Sequence, residues 1–183
     1  MSNGSEISAI EPDWSREAVE PWNWDPGARL LRAIRNYQRA RAATGAWARF
    51  ARRAAVIEYR FWSAVTGADI PLNCHIEGGL MMPHPNGIVI HPDAVVGPNC
   101  LIFQQVTLGE ERGLAPIIGG HVDIGAGARI IGGVRIGDHA KIGANAVVLQ
   151  DVPPGATAVG IPARIIPAGT RAAFSEPARA AQR

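Results

Sequence analysis

Residues 124–147 read IGAGARIIGGVRIGDHAKIGANAV. An isoleucine returns every sixth residue (Ile124, Ile130, Ile136, Ile142), glycine often follows it, and four places on stands Ala128, Val134, Ala140 or Ala146. Outward from this stretch the beat holds. It runs forward to Val148 and Val152, and back through Ile118 and Val122. Beyond an insertion it resumes at Leu108, Ile102, Val96 and Ile90. After a slip of two it continues at Ile88, Met82, Ile76 and Ile70. Cys74, Ala94, Cys100 and Val106 fill the small slot there. A six-residue period is neither the 3.6 of a helix nor the 2 of a long strand. It is the signature of a solenoid in which each hexad makes one short strand and one turn. No single coil can bury its own aliphatic row, so coils must stack to build a core. The spacing therefore predicts a mainly β chain, a parallel β-helix. Both cysteines fall in the small slot and are expected to be structural.

Ahead of the solenoid the pattern changes. Residues 1–28 are acidic, proline-bearing and rich in tryptophan (Trp14, Trp22, Trp24), and read as an irregular arm docked by its tryptophans. Residues 29–68 read as an α-helical segment. Leu30, Leu31, Ile34 and Tyr37 share one face, and after a break near Thr44-Gly45 come Trp47, Phe50, Ala54, Ile57, Phe61 and Val65 at three- and four-residue steps. This segment holds nine arginines and one glutamate. The plain reading is a solvated helix face; an anionic partner, such as a membrane surface or a polysaccharide, is the alternative. The solenoid domain spans 69–166, and 167–183 form a C-terminal tail.

A net charge of +2 over 183 residues gives no reason to expect a nucleic-acid partner. No apolar run reaches the roughly 18 residues of a spanning helix, and the first residues lack a basic start and an apolar core. A cytoplasmic protein is expected. Two unpaired cysteines and five scattered histidines offer no metal set.

One stretch stands out chemically. In MMPHPNGIVIH, residues 81–91, His84 is held between Pro83 and Pro85. The prolines bar helix and central strand, so the histidine must sit in a rigid turn at a surface or cleft. This turn, QQVTLG at 104–109 and KIGANAVVLQDVPPGATAVGIPARII at 141–166 together resemble the bacterial serine acetyltransferases, over roughly residues 60–166. The resemblance implies a left-handed parallel β-helix, a homotrimer with active sites between subunits, and acetyl-CoA as acyl donor, with no metal. It further implies His84 as the general base that deprotonates the acceptor hydroxyl, oriented by Asp69. For the coenzyme it points to the small residues Gly125, Ala126, Gly127, Gly143 and Ala144 beside the arm, and to Lys141 and Arg164 near the phosphates.

The chain departs from that family at the acceptor. Pro83 replaces an aspartate that holds the serine ammonium, and Leu114 and Ala115 replace the arginine and histidine that help bind its carboxylate. Glu110, Glu111 and Arg112 in the shortened loop are the candidates to take over. Serine O-acetylation in cysteine biosynthesis is the first expectation. A sugar hydroxyl in surface- or exopolysaccharide assembly is the second, and a non-catalytic β-helix scaffold the third. A γ-type carbonic anhydrase is excluded, since its metal needs two histidines five apart in sequence and none here are. The chain ends PARAAQR, without the family's terminal isoleucine, so docking to a sulfhydrylase through the C-terminus is not expected.

Overall fold

The structure is a computed structural model that describes residues 7–20 and 22–170. Two helices lead into the solenoid. Helix α1 (Pro26–Ala42) begins three residues before the helical pattern suggests, because Asp25 caps it, accepting from the Ala28 amide, and Pro26 takes the first turn, where no donor is needed. Helix α2 (Ala46–Thr66) ends on Gly67 in the left-handed conformation. Leu30, Leu31 and Ile34 of α1 are buried as their spacing predicts. Helix α2 is turned the other way. Ala48, Ala55, Trp62 and Thr66 face inward, while Trp47, Phe50, Ile57, Phe61 and Val65 are exposed.

Among the described residues thirteen short strands follow, on three faces. The first face holds β1 (His75–Ile76), β3 (Val95–Val96), β6 (Ile117–Ile118) and β9 (Arg135–Ile136). The second holds β4 (Leu101–Ile102), β7 (Asp123–Ile124), β10 (Lys141–Ile142) and β12 (Thr157–Val159), closed by the antiparallel β13 (Arg164–Ile166). The third holds β2 (Val89–Ile90), β5 (Thr107–Gly109), β8 (Arg129–Ile131) and β11 (Val147–Val148). All pairs but the last are parallel, and the chain visits the faces in rotation: this is a parallel β-helix. Every aliphatic of the six-residue beat is buried, and so is every small-slot residue, because each strand points one side chain in and the next out. Burial pushes the thiol of Cys74 up to about 11 and that of Cys100 up to about 12, which leaves both inert.

Register shows where the coils depart from three hexads. Lys141 lies over Asp123 and Arg135 over Ile117, eighteen apart. In the lowest coil the spacing is twenty (His75 to Val95, Met81 to Leu101), and across the insertion it is twenty-two (Leu101 to Asp123). Two segments are therefore extruded from the column: one before β2 and one before β6.

The arm is docked through polar contacts and through two of its tryptophans, Trp14 against Gly78 and Arg35, and Trp24 against Trp62. Trp22 is almost wholly exposed, whereas Asn99 is 1% exposed and is the anchor. Its Oδ1 accepts from the Asp13 amide, and its Nδ2 donates to the carbonyls of Ser8 and Glu11. Arg16 donates to the carbonyls of Gly79 and Asn99. Arg35 of α1 donates to the carbonyls of Ile76 and Glu77 and makes a double contact with Glu17, while Trp14 lies over its guanidinium. The arm thus covers the corner between the first and second faces. Residues 171–183, most of the expected tail, lie outside the described residues.

Candidate active site

The corner between the second and third faces is built the same way four times. Gln105 donates its amide to the Asn86 carbonyl, Gly127 to that of Gln104, and Asn145 to that of Ala126. Gly87, Gln105, Gly127 and Asn145 are all left-handed, and together they make one vertical edge. Adjacent coils are ~4.8 Å apart, so the edge climbs about 14 Å from Gly87 to Asn145.

His84 belongs to the foot of this edge. Between Met82 and Ile88 the chain has five residues, where the coil above has three between Ile102 and Val106. The corner turn itself runs Pro85 to Ile88, with Gly87 at φ 69° as a type II turn demands. Pro83 and His84 are thus the two added residues. The histidine is pushed out of the column, exposed, with a proline on each side to hold it there. The turn is braced from below: Gly87 donates to the Gly67 carbonyl and Asn86 Nδ2 to the Thr66 carbonyl, so the end of α2 sets its position.

Asp69 is one coil lower. Its backbone bridges Val89, with its amide on the Ile88 carbonyl and its own carbonyl taking the Ile90 amide. Its exposed carboxylate, after burial, is the next cause that pushes the Tyr59 hydroxyl above its ordinary range. Among the described residues no hydrogen bond or ion pair joins Asp69 to His84.

At the top of the edge, Gly125-Ala126-Gly127 lie beneath Gly143-Ala144-Asn145. A Cβ on Gly125 would stand 2.6 Å from the Ala144 nitrogen, and one on Gly143 2.8 Å from Val159 Cγ1. The chain's own next coil therefore accounts for these glycines. Exposed Lys141 pairs in register with Thr157 on the second face, and exposed Arg164 pairs with Val159. Both cations border the upper edge.

Glu110, Glu111 and Arg112 lie elsewhere. Seven residues, 110–116, connect β5 to β6, where the coil above needs only three, 132–134. They form a two-residue hairpin, Glu111 bridging Leu114, with Arg112 and Gly113 both left-handed at its tip. Glu110 caps the Gly113 amide. Leu114 packs on Gly133 and Arg112 stands in solvent. This hairpin is at the corner between the third and first faces, so the third face separates it from His84.

One residue on the His84 edge was missed in the sequence. Gln104 Oε1 is buried and takes no hydrogen bond within the chain, one step above the histidine turn and one below Gly125. Only its place in QQVTLG hinted at it. The other four histidines have local accounts. His91 accepts from the Asp93 amide, His75 stands outward on the first face, and His121 and His139 meet Nδ1 to Nδ1 at 2.9 Å. Among the described residues no group of three or more ligating side chains converges.

Residues 115–150 match the family model of the bacterial transferase hexapeptide (six repeats). The serine acetyltransferase of Mycobacterium tuberculosis is 39% identical over 149 residues, 79% of this chain and 55% of that protein. Soybean serine acetyltransferase complexed with serine superposes with TM-score 0.66 at 37% identity, over 79% of this chain and 58% of that one. The chain is a hexapeptide-repeat relative of the serine acetyltransferases. A further member of that family, solved in complex with CoA, gives TM-score 0.65 at 35% identity, over 77% of this chain and 57% of that one. The chain spans about half the length of the curated relatives it matches, from 37% to 62%.

Proposed function

We propose that the protein is an acetyl-CoA-dependent O-acetyltransferase whose first acceptor is L-serine, giving O-acetyl-L-serine. His84 takes the proton of the acceptor hydroxyl as that oxygen attacks the thioester carbonyl. The carbon–sulfur bond breaks, and the proton returns to the departing CoA thiolate, so coenzyme A leaves as a thiol. Asp69 orients His84 and balances the imidazolium; their contact closes in the loaded enzyme, as catalytic hydrogen bonds often do. The observation that carries the reading is the two-residue extrusion Pro83-His84. It presents a titratable base, rigidly, at the foot of a single edge. The upper edge bears Gly125, Ala126, Gly127, Gly143 and Ala144, with Lys141 and Arg164 alongside, and the extended arm of acetyl-CoA runs along the edge between them and His84. The solved relatives bound to CoA and to serine support both ligands.

The working unit is a homotrimer. His84 and the Glu110–Arg112 hairpin occupy opposite borders of the third face, so one chain cannot bring them to the same acceptor. Two neighbouring chains can. A sugar hydroxyl is the second reading. It is favoured by Pro83 and by Leu114, which leave only Glu110, Glu111 and Arg112 to hold a zwitterion.

The test is thiol release from acetyl-CoA with L-serine and with a panel of sugars. His84→Ala should lower kcat by 10²–10⁴-fold, and Asp69→Asn by less. Turnover confined to sugars moves the acceptor and keeps the base. Undiminished turnover in His84→Ala refutes the mechanism, and no turnover or CoA binding at all leaves a scaffold.

A further inference from the structure

We propose that the outer face of α2 docks the protein onto an anionic lipid bilayer. Trp47 is 79% exposed, Phe50 62%, Ile57 70% and Phe61 57%, and Val65 continues the row. With the exposed Ala54 between Phe50 and Ile57, these side chains recur at three- and four-residue steps over eighteen residues, about 27 Å of helix. The row is continuous with further aromatics: Trp47 stacks on Phe50 at 5.5 Å, Phe61 meets Trp62 at 5.0 Å, and the exposed Trp24 meets Trp62 at 5.7 Å. A contiguous exposed apolar patch of this length marks an interaction surface.

Charge decides what covers it. Arg49, Arg53 and Arg60 follow one border of the row, and Arg32 and Arg39 of α1 lie beyond the other, across an alanine-lined groove. Residues 26–66 hold nine arginines against a single glutamate, Glu58, which is already paired with Arg32 at 2.7 Å. A second copy on this face would set arginines against arginines with no acid left to separate them. The chain's own last residues, 171–183, bring three more arginines and one glutamate, so they do not match the charge either. A phospholipid surface answers both halves of the pattern. Tryptophan and phenylalanine settle at the boundary of headgroup and acyl chain, and arginines beside them meet phosphates. No helix among the described residues is long and apolar enough to cross a membrane, so α2 would lie in the interface plane. The solvated helix face that the arginines alone suggest is thus only half of this surface.

The test is co-sedimentation of the full chain with vesicles of phosphatidylcholine, and of phosphatidylcholine mixed with phosphatidylglycerol. Three arginines near the surface should favour the anionic vesicles by on the order of a hundredfold, and high salt should remove the preference. Phe50→Ser/Ile57→Ser/Phe61→Ser should abolish binding with the melting point and the mass in solution unchanged. Arg49→Gln/Arg53→Gln/Arg60→Gln, which alters only exposed side chains, should lose the anionic preference and keep the fold. Absence of vesicle binding by the unaltered chain overturns the proposal. So does a fall in the light-scattering mass of the serine variant, because a second copy would then be what covers the face.

Discussion

Replacing Arg35 by methionine tests how the arm, the helices and the lowest coil are joined. The guanidinium is nearly enclosed. It meets Glu17 at 2.9 Å, where the two side chains keep only 10% and 8% of their exposure, and it donates to the carbonyls of Ile76 and Glu77. Methionine keeps the aliphatic stem packed under Trp14 but strands the Glu17 carboxylate, whose other donor among the described residues is the Leu80 amide. Charged hydrogen bonds of about 1.5–3 kcal/mol each would sum to more than such networks deliver. Removing one partner of a buried pair typically costs about 3–5 kcal/mol, and that is the expected loss. For a chain of this size it corresponds to a fall in Tm of roughly 10 °C.

The assay is urea unfolding at fixed protein concentration, followed by circular dichroism and by tryptophan emission, to which Trp14 contributes. The double variant Glu17→Gln/Arg35→Met removes the stranded charge while a glutamine oxygen still accepts from Leu80. It should recover at least ~1 kcal/mol over the single variant. Catalysis at a temperature where both are folded should be unchanged, since the end of α2, not the arm, braces the His84 turn. A single variant within ~1 kcal/mol of the parent, or a double variant worse than the single, would refute this account.

Gln104→Leu should leave the melting point unchanged or raised, because a buried acceptor without a partner disappears. Thiol release should fall about tenfold if a ligand donor is what that oxygen awaits. His121 should titrate below its ordinary range: desolvation is the main cause, and the charge of His139 adds to it, while Asp123 opposes. A base whose folded pKa is depressed stabilises above its unfolded value and loses that contribution as pH falls through about 6.5. Imidazole proton shifts followed by NMR should show the depressed titration, and His139→Gln should move it back up.

The solenoid was legible because its signal is cumulative. One Ile-Gly pair means nothing, but Ile118 to Val148 at six-residue steps admits one fold, and each of those side chains is buried. His84 was legible because two prolines leave a histidine no other place. Helix α2 was harder. Its apolar period is as clear as that of α1, yet it is the alanine side, with Ala48 and Ala55, that packs inward, since small residues let the two helices approach closely. Period shows that a stripe exists, not which body covers it. The arm was legible only as an arm. Asn99 looks like any corner residue in the repeat until Asp13, Ser8 and Glu11, some ninety residues away, are found on its amide.

These contacts bear on where a substrate can reach. A three-sided solenoid offers three corners. The arm is pinned along the one between the first and second faces by Asn99 and Arg16, and Ala9 lies against Gly120 there. The corner between the third and first faces carries the Glu110–Ala115 hairpin, folded onto Gly133. Among the described residues, only the corner between the second and third faces rises unobstructed from His84 past Gln104 to Asn145. Its left-handed positions hold Gly87, Gln105, Gly127 and Asn145, while those of the arm-covered corner hold Gly79, Asn99, His121, His139 and Gly155. The arm and the hairpin, which the repeat does not require, thus leave one edge open among the described residues, and a two-residue extrusion places His84 at its foot.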